Sequence, residues 1–284
     1  MIEAPIAPVT VTTPVGRRET GGLLLEYRRF GPLLRNLIKR EVRQRYKGSF
    51  FGVLWTLVNP VIMVATYGAM FHYVFRVVNI PHYAWFLFTG LAVWTFFVGG
   101  VQGAASSMVA NASLVKKVRF PREFIPVTAV ASNAVTAGAM LIIAVVGSQI
   151  VDGRFHLQLV VLPAFLFFLV LLTLGLSLIL SVLNVFYRDV EHIFAAITMP
   201  WFFLTPIFYT FETLPGLQVP HRVLTLMYYA NPITPFLSAI REIVFVGTWP
   251  SAKDWIYCFV VGTAALAVGY RVFRRMEQEV AVAL

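Results

Sequence analysis

The sequence predicts an all-α integral membrane protein. It should have six transmembrane helices, an N-terminal amphipathic interfacial helix, and re-entrant helices between spans five and six. Three observations carry this prediction. The chain is 58% hydrophobic and only 13% charged, where a soluble domain carries about 25% charged residues. Its apolar residues gather into uncharged runs long enough to cross a bilayer as helices. One further apolar run, 223–240, is interrupted by NPITP (231–235), where two prolines disfavour a continuous helix.

Residues 1–22 are rich in Pro and Thr and are expected to form a disordered tail. They contain no basic segment followed by an apolar one, so no cleavable signal peptide is predicted. The remaining chain, 23–284, reads as one transmembrane domain. Before its first span lies LLRNLIKREVRQRYKGS (33–49), in which Leu34, Ile38, Val42 and Tyr46 recur every four residues. Arg35, Lys39, Arg40, Arg43 and Arg45 fill the other faces, the pattern of a basic helix lying in the membrane interface.

The six spans fall at about 53–75, 84–109, 124–150, 159–185, 193–211 and 255–271. The fifth contains Pro200 and Pro206, and the sixth is the weakest by length. The region 214–246 reads as short broken helices that enter the membrane and return, which requires cover from protein or a wet cavity. With six spans, 18 of the 23 Lys and Arg residues fall on the side of the N-terminus. That asymmetry puts both termini in the cytoplasm. It also explains the +10 net charge without nucleic acid as a partner.

Several chemistries are excluded. The chain has no GxxxxGK[ST] phosphate loop, so it does not bind ATP in that way. The histidines His72, His82, His156, His192 and His221 have no metal-ligand spacing. The lone Cys258 rules out an intrachain disulfide. No Asp or Glu lies within the six spans, which argues against an ion-coupled carrier and an intramembrane hydrolase. Spans this extensive leave no room for a soluble catalytic domain.

What remains is aromatic and small polar. Trp55, Tyr67, Phe71, Trp94, Phe97, Trp201, Phe202 and Tyr209 are candidates to line a channel, since aromatic faces stack on the CH-rich faces of sugars. Gly99 and Gly103 have a GxxxG spacing that permits close helix approach. Between spans two and three, NASLVKKVRFPRE (111–123) combines apolar Leu114, Val115 and Val118 with basic Lys116, Lys117, Arg119 and Arg122.

Five phrases, in order along the chain, resemble the permease subunits of ABC-2 type exporters of lipid-linked polysaccharides and teichoic acids. They are RYKGSFFGVLWTLVNP (45–60), NASLVKKVRFPREFIP (111–126), NVFYRDVEHI (184–193), FLTPIFY (203–209) and YYANPITPF (228–236). The resemblance covers the chain from about Leu33 onward. It implies a homodimer in the bacterial inner membrane, working with two copies of a separate ATPase subunit. This chain would hold no cofactor; ATP and Mg would sit on the partner. Leu114, Val115, Lys116, Lys117, Val118, Arg119 and Phe120 would form a coupling helix that docks on the ATPase, with the apolar residues making the specific contact. The basic helix would be a gate attracting a lipid pyrophosphate. Tyr187, Arg188, Asp189 and Glu191 would form a second cytoplasmic loop, with Arg188 pairing to Asp189 or Glu191. The substrate class implied is a polyprenyl-pyrophosphate-linked glycan of O-antigen, galactan, capsule or teichoic acid type. An ABC-2 drug or small-lipid exporter is the alternative, and a membrane-embedded glycan-modifying enzyme the rival of another class.

Overall fold

The computed structural model describes residues 23–48, 55–70, 80–117, 120–153, 155–210 and 220–283. Among these residues every regular element is helical. In chain order they are α1 (Leu23–Tyr46), α2 (Trp55–Ala69), α3 (Tyr83–Ala110), α4 (Ala112–Lys117) and α5 (Phe124–Asp152). A 3-10 turn (Leu157–Val161) then leads into α6 (Leu162–Phe186), followed by α7 (Asp189–Leu204), α8 (His221–Ala230) and α9 (Thr234–Arg241). A π turn (Glu242–Val246) and α10 (Ala252–Ala283) complete the order.

Four helical segments are long and apolar enough to span a membrane: Tyr83–Ala110, Phe124–Val151, Leu157–Phe186 and Ala252–Val280. The segment expected to be weakest by length, 255–271, lies in the longest helix, α10, of 32 residues. The helix does not stop at Arg271. It continues because Phe273 and Val280 are fully buried at its far end. Helices α2 and α7 have 15 and 16 residues, about 22–24 Å at ~1.5 Å per residue. Pro200 lies inside α7, and the helix ends at Leu204, just before Pro206.

Helix α3 is the hub. It packs on both α5 and α6, and also touches α2, α7 and α9. Its Phe97, Val101, Ala104 and Met108 are wholly buried. The most extensive contact in the molecule joins α6 to α10. Glycine makes it possible: a Cβ on Gly175 would run into the backbone of Ala265, and one on Gly269 into that of Gly175. Without lipid-excluding hydrophobic force between helices, such close backbone approach is a main source of association in membranes.

Polar residues inside the spans are satisfied in two ways. Thr128, Thr173, Ser107 and Ser181 return their hydroxyls to carbonyls of their own helices, at Phe124, Leu169, Ala104 and Leu178, so their burial leaves no orphan donor. Asn133 and Asn184 instead cross between helices. The Asn133 amide of α5 donates to the carbonyls of Thr95 and Phe96 in α3, at 3.1 and 3.0 Å. Asn184 of α6 donates to Ala105 at 3.1 Å. The space that Gly99 leaves is filled by the Asn133 amide, and Gly103 faces Arg45. The GxxxG spacing therefore admits side chains rather than another helix backbone.

Candidate functional site

The two ends of the bundle carry different chemistry. At the α4 end, α1 lies against α5 as the amphipathic pattern requires. Leu37 is buried, Leu34, Ile38 and Val42 are half-buried, and Arg35, Lys39, Arg40, Arg43 and Arg45 are exposed. The helix starts ten residues before the expected 33, and Phe30 packs edge-on to Phe124, with ring centroids 6.4 Å apart. Beneath α1 is a cavity of about 400 Å³ walled by Arg40, Glu41, Gln44, Ser107, Asn111 and Thr128 among others. Beside it a second cavity of about 570 Å³ is lined by Asn36, Lys39, Arg40, Arg43, Gln44 and Lys47. Three of the five expected gate cations thus share one basic hollow. Arg45 instead reaches Asn133, at 3.4 Å, and Arg35 lines neither cavity.

Arg40 also donates to the side-chain oxygen of Asn111 at 2.8 Å. Asn111 is the joint between α3 and α4: its amide donates to Ser107, and its carbonyl accepts from Leu114 and Val115. Helix α1 is therefore tied to the joint between α3 and α4 by one charged hydrogen bond.

In α4 itself Val115 does not face outward as expected. Val115 is 3% exposed and packs inward with Met108, Ile125, Val182, Phe273 and Val280 in a second hydrophobic core. Leu114 is half-buried toward the cavity under α1, and Phe120 packs on the second core. Ser113, Lys116 and Lys117 are left facing outward. The physical reason is that the long tail of α10 needs an apolar partner at this end, and Val115 supplies part of it. Arg122 adds a polar tie, donating to the carbonyl of Glu277, whose carboxylate is ion-paired with Arg274 at 3.0 Å. Val118 and Arg119 lie outside the described residues.

At the turn between α6 and α7, Glu191 does not pair with Arg188. Its carboxylate accepts from Asn184 at 3.4 Å, and its backbone N–H donates back to Asn184 at 3.2 Å. Tyr187, Arg188 and Asp189 are exposed. One asparagine thereby fixes α3, α6 and the start of α7 together.

From the middle of α3 toward the opposite end the aromatic candidates meet. Trp94 lies 6.2 Å from Trp201 and 5.4 Å from Phe202, and Phe97 lies 5.3 Å from Trp201, all between ring centroids. Tyr67 completes the group, 4.7 Å from Phe208. Trp94, Phe97 and Phe202 are buried in the core, while Tyr67, Trp201 and Tyr209 are partly exposed. These three are the edge of the cluster. Phe71 and the side chain of Trp55 lie outside the described residues.

Polar contacts hold the chain breaks around this cluster, and sequence reasoning had not singled them out. After α7 the chain turns at 205–210, freeing carbonyls that burial would leave unpaired at a cost of about 1–3 kcal/mol each. Arg241, only 5% exposed, donates from its two terminal nitrogens to the carbonyls of Pro206 and Ile207, each at 2.5 Å. The Tyr83 hydroxyl donates to the next carbonyl, Phe208, at 2.7 Å. Asn231, of the NPITP phrase, accepts from the Trp201 indole at 2.9 Å and donates to the Thr205 hydroxyl at 2.9 Å. At the start of α10, Ser251 and Asp254 cap each other reciprocally, and Tyr228 donates to Asp254 at 3.1 Å. The SAKD spacing of that cap (251–254) was readable as a helix start. Arg241 carried a weaker signal, a basic residue next to Glu242 at the end of an apolar run. Among the described residues no group of three or more His, Cys, Asp or Glu is placed to hold a metal ion.

The profile of a family described as ABC-2 type transporter matches residues 32–245. The chain is 30% identical over 263 residues to the O-antigen export system permease protein RfbA of Myxococcus xanthus, an alignment covering 91% of this chain and 98% of that protein. It is also 30% identical over 246 residues to two proteins of the same description from Klebsiella pneumoniae, covering 86% of this chain and 92% of theirs.

Proposed function

The chain belongs to the ABC-2 type transporter family, and from that premise we propose that it is the permease subunit of an ATP-driven polysaccharide exporter. Its cargo is a polyprenyl-pyrophosphate-linked glycan, carried from the cytoplasm across the inner membrane. The observation that carries this reading is the similarity to O-antigen export permeases, which runs nearly end to end on both sides. The energy comes from a separate ATPase subunit, since the chain has no phosphate loop of its own.

Two permease copies and two ATPase copies form the exporter. Six spans are completed by α2 and α7, with α8, α9 and the π turn entering and leaving the membrane between spans five and six. Both termini and α4 face the cytoplasm, in line with the charge asymmetry. The exposed Lys116 and Lys117 of α4 meet acidic groups at the rim of an ATPase groove, with Leu114 at the margin. Charge complementarity of this kind sets orientation and register more than affinity.

The lipid pyrophosphate is drawn to the hollow of Lys39, Arg40 and Arg43, where guanidinium forks suit phosphate oxygens. Movement of α4 reaches this hollow through Asn111 and Arg40. The sugar chain then passes the edge formed by Tyr67, Trp201 and Tyr209, whose partly exposed rings offer faces for stacking. Trp94, Phe97 and Phe202 serve as the wall behind that edge.

The test is reconstitution of the permease with its ATPase in liposomes, with ATP hydrolysis measured against a panel of lipid-linked glycans. Stimulation by a polyprenyl-linked polysaccharide is the expected result. Stimulation by drugs or short-chain lipids alone would instead select the small-molecule exporter of the same family.

A further inference from the structure

Arg241 is a cation enclosed in the bundle without an acidic partner among the described residues. Its terminal nitrogens donate to the Pro206 and Ile207 carbonyls, and its guanidinium carbon lies 3.6 Å from the centroid of the Phe86 ring. Its Nε has no hydrogen-bond partner, and no carboxylate stands within ion-pair distance of it among the described residues. The site is shaped for this side chain, because a Cβ on Gly90 would collide with the guanidinium. Burying a charge in this way is a poor route to stability, since an apolar residue of similar volume would usually serve as well or better. Intramembrane charges of this kind mark function.

What Arg241 holds is the turn after α7. That turn carries Phe208, which packs 4.9 Å from Phe202 and 4.7 Å from Tyr67, centroid to centroid. The turn is fastened at its start by Asn231 through Thr205. Further along it is fastened by Arg241 and Tyr83, through three successive carbonyls. The first fastening ties the turn to the segment before α9. The second ties it to α9 and to the start of α3, at the end of the bundle away from α4. Bonds from a guanidinium to neutral carbonyls can pass to water without stranding a second charge.

We infer that Arg241 is a positioning residue that latches the 205–210 turn onto α3 and α9 and thereby seals the far end of the export path in the resting state. The inference rests on the exporter reading, because a seal matters only to a chain that encloses a path.

The test uses the full permease–ATPase complex in liposomes loaded with carboxyfluorescein, without ATP and without glycan. Native complexes retain the dye. Arg241→Gln removes the charge and one arm of the fork, and is expected to raise dye release roughly tenfold or more, from the loss of a charge-assisted bond that biases closed against open. Arg241→Lys keeps the charge but cannot fork to two carbonyls, so its release should be intermediate. Retention at the native level by an Arg241→Gln complex that elutes like the native one would overturn the inference. If that variant does not assemble, Tyr83→Phe decides the matter, since it removes one bond to the same turn and no charge. Release above native supports the latch, and native retention refutes it. A merely structural role would lower the thermal stability of the Gln and Lys variants alike and release no dye. Failure of the exporter reading would show separately, as absence of glycan-stimulated ATP hydrolysis in the native complex.

Discussion

The indole nitrogen of Trp201 donates to the side-chain oxygen of Asn231 at 2.9 Å, across 30 residues of chain. Asn231 uses the same oxygen to accept from the Ile233 backbone at 3.2 Å and its amide to reach Thr205. One asparagine therefore ends α7 and begins α9. It joins the FLTPIFY and YYANPITPF phrases, which are separated in sequence, into one structural unit.

Asn231→Ala should destabilise the protein by about 1–3 kcal/mol, because it strands the Trp201 N–H, while the Thr205 hydroxyl loses one donor but keeps its own bond to the Trp201 carbonyl. Trp201→Phe should cost about 1 kcal/mol from the lost bond alone. Thermal unfolding of the purified single and double variants gives the coupling between them. A double variant whose loss equals the sum of the singles would mean that the two side chains do not act together.

The glycine seam between α6 and α10 gives a stability test. Gly269→Ala and Gly175→Ala each place a Cβ into facing backbone, which cannot yield as a side-chain tip would, so losses of about 1–3 kcal/mol are expected. Gly138→Ala meets nothing within 4 Å and should be tolerated. The comparison is read from the melting temperatures and the yield of folded protein for the three variants.

At α4, the outward lysines and the inward valine should separate docking from folding. Lys116→Glu with Lys117→Glu should leave the permease folded while abolishing its stimulation of the ATPase. Val115→Asp places an unpaired carboxylate in the second core beside Met108 and Phe273 and should lower stability by several kcal/mol. Elution profile and stimulated ATP hydrolysis measure the two effects. Normal stimulation by the double-lysine variant would remove these lysines from the coupling surface.

The basic hollow can be probed by charge removal. Replacing Lys39, Arg40 and Arg43 together with Gln should raise the lipid-linked glycan concentration that half-stimulates ATP hydrolysis about tenfold or more, as expected for losing charged phosphate contacts. Arg35→Gln, outside the hollow, should change it little. Added salt should weaken the native response in the same direction. An equal effect of Arg35→Gln would mean that only general surface charge matters.

The long helices were legible in the sequence because their signal is local. Uncharged runs and a four-residue apolar repeat report what a single helix does in lipid; α3, α5 and α6 begin and end within a few residues of those runs, whereas α1 extends ten residues upstream of its repeat. The break at NPITP was legible for the same reason, since proline acts on its own backbone. The segment 255–271 was underestimated in length because α10 runs past its apolar stretch, carried on by Phe273 and Val280, whose burial depends on distant helices. Tertiary structure alone decided which way Val115 faces, which is set by what the α10 tail needs rather than by any pattern within NASLVKKVRFPRE. It alone brought Arg241 to the carbonyls of Pro206 and Ile207, and it alone divided the aromatics into a buried wall and an exposed edge. A helix can be read from its own residues. The partner of a freed carbonyl or an inward valine comes from another part of the chain, and only packing brings the two together.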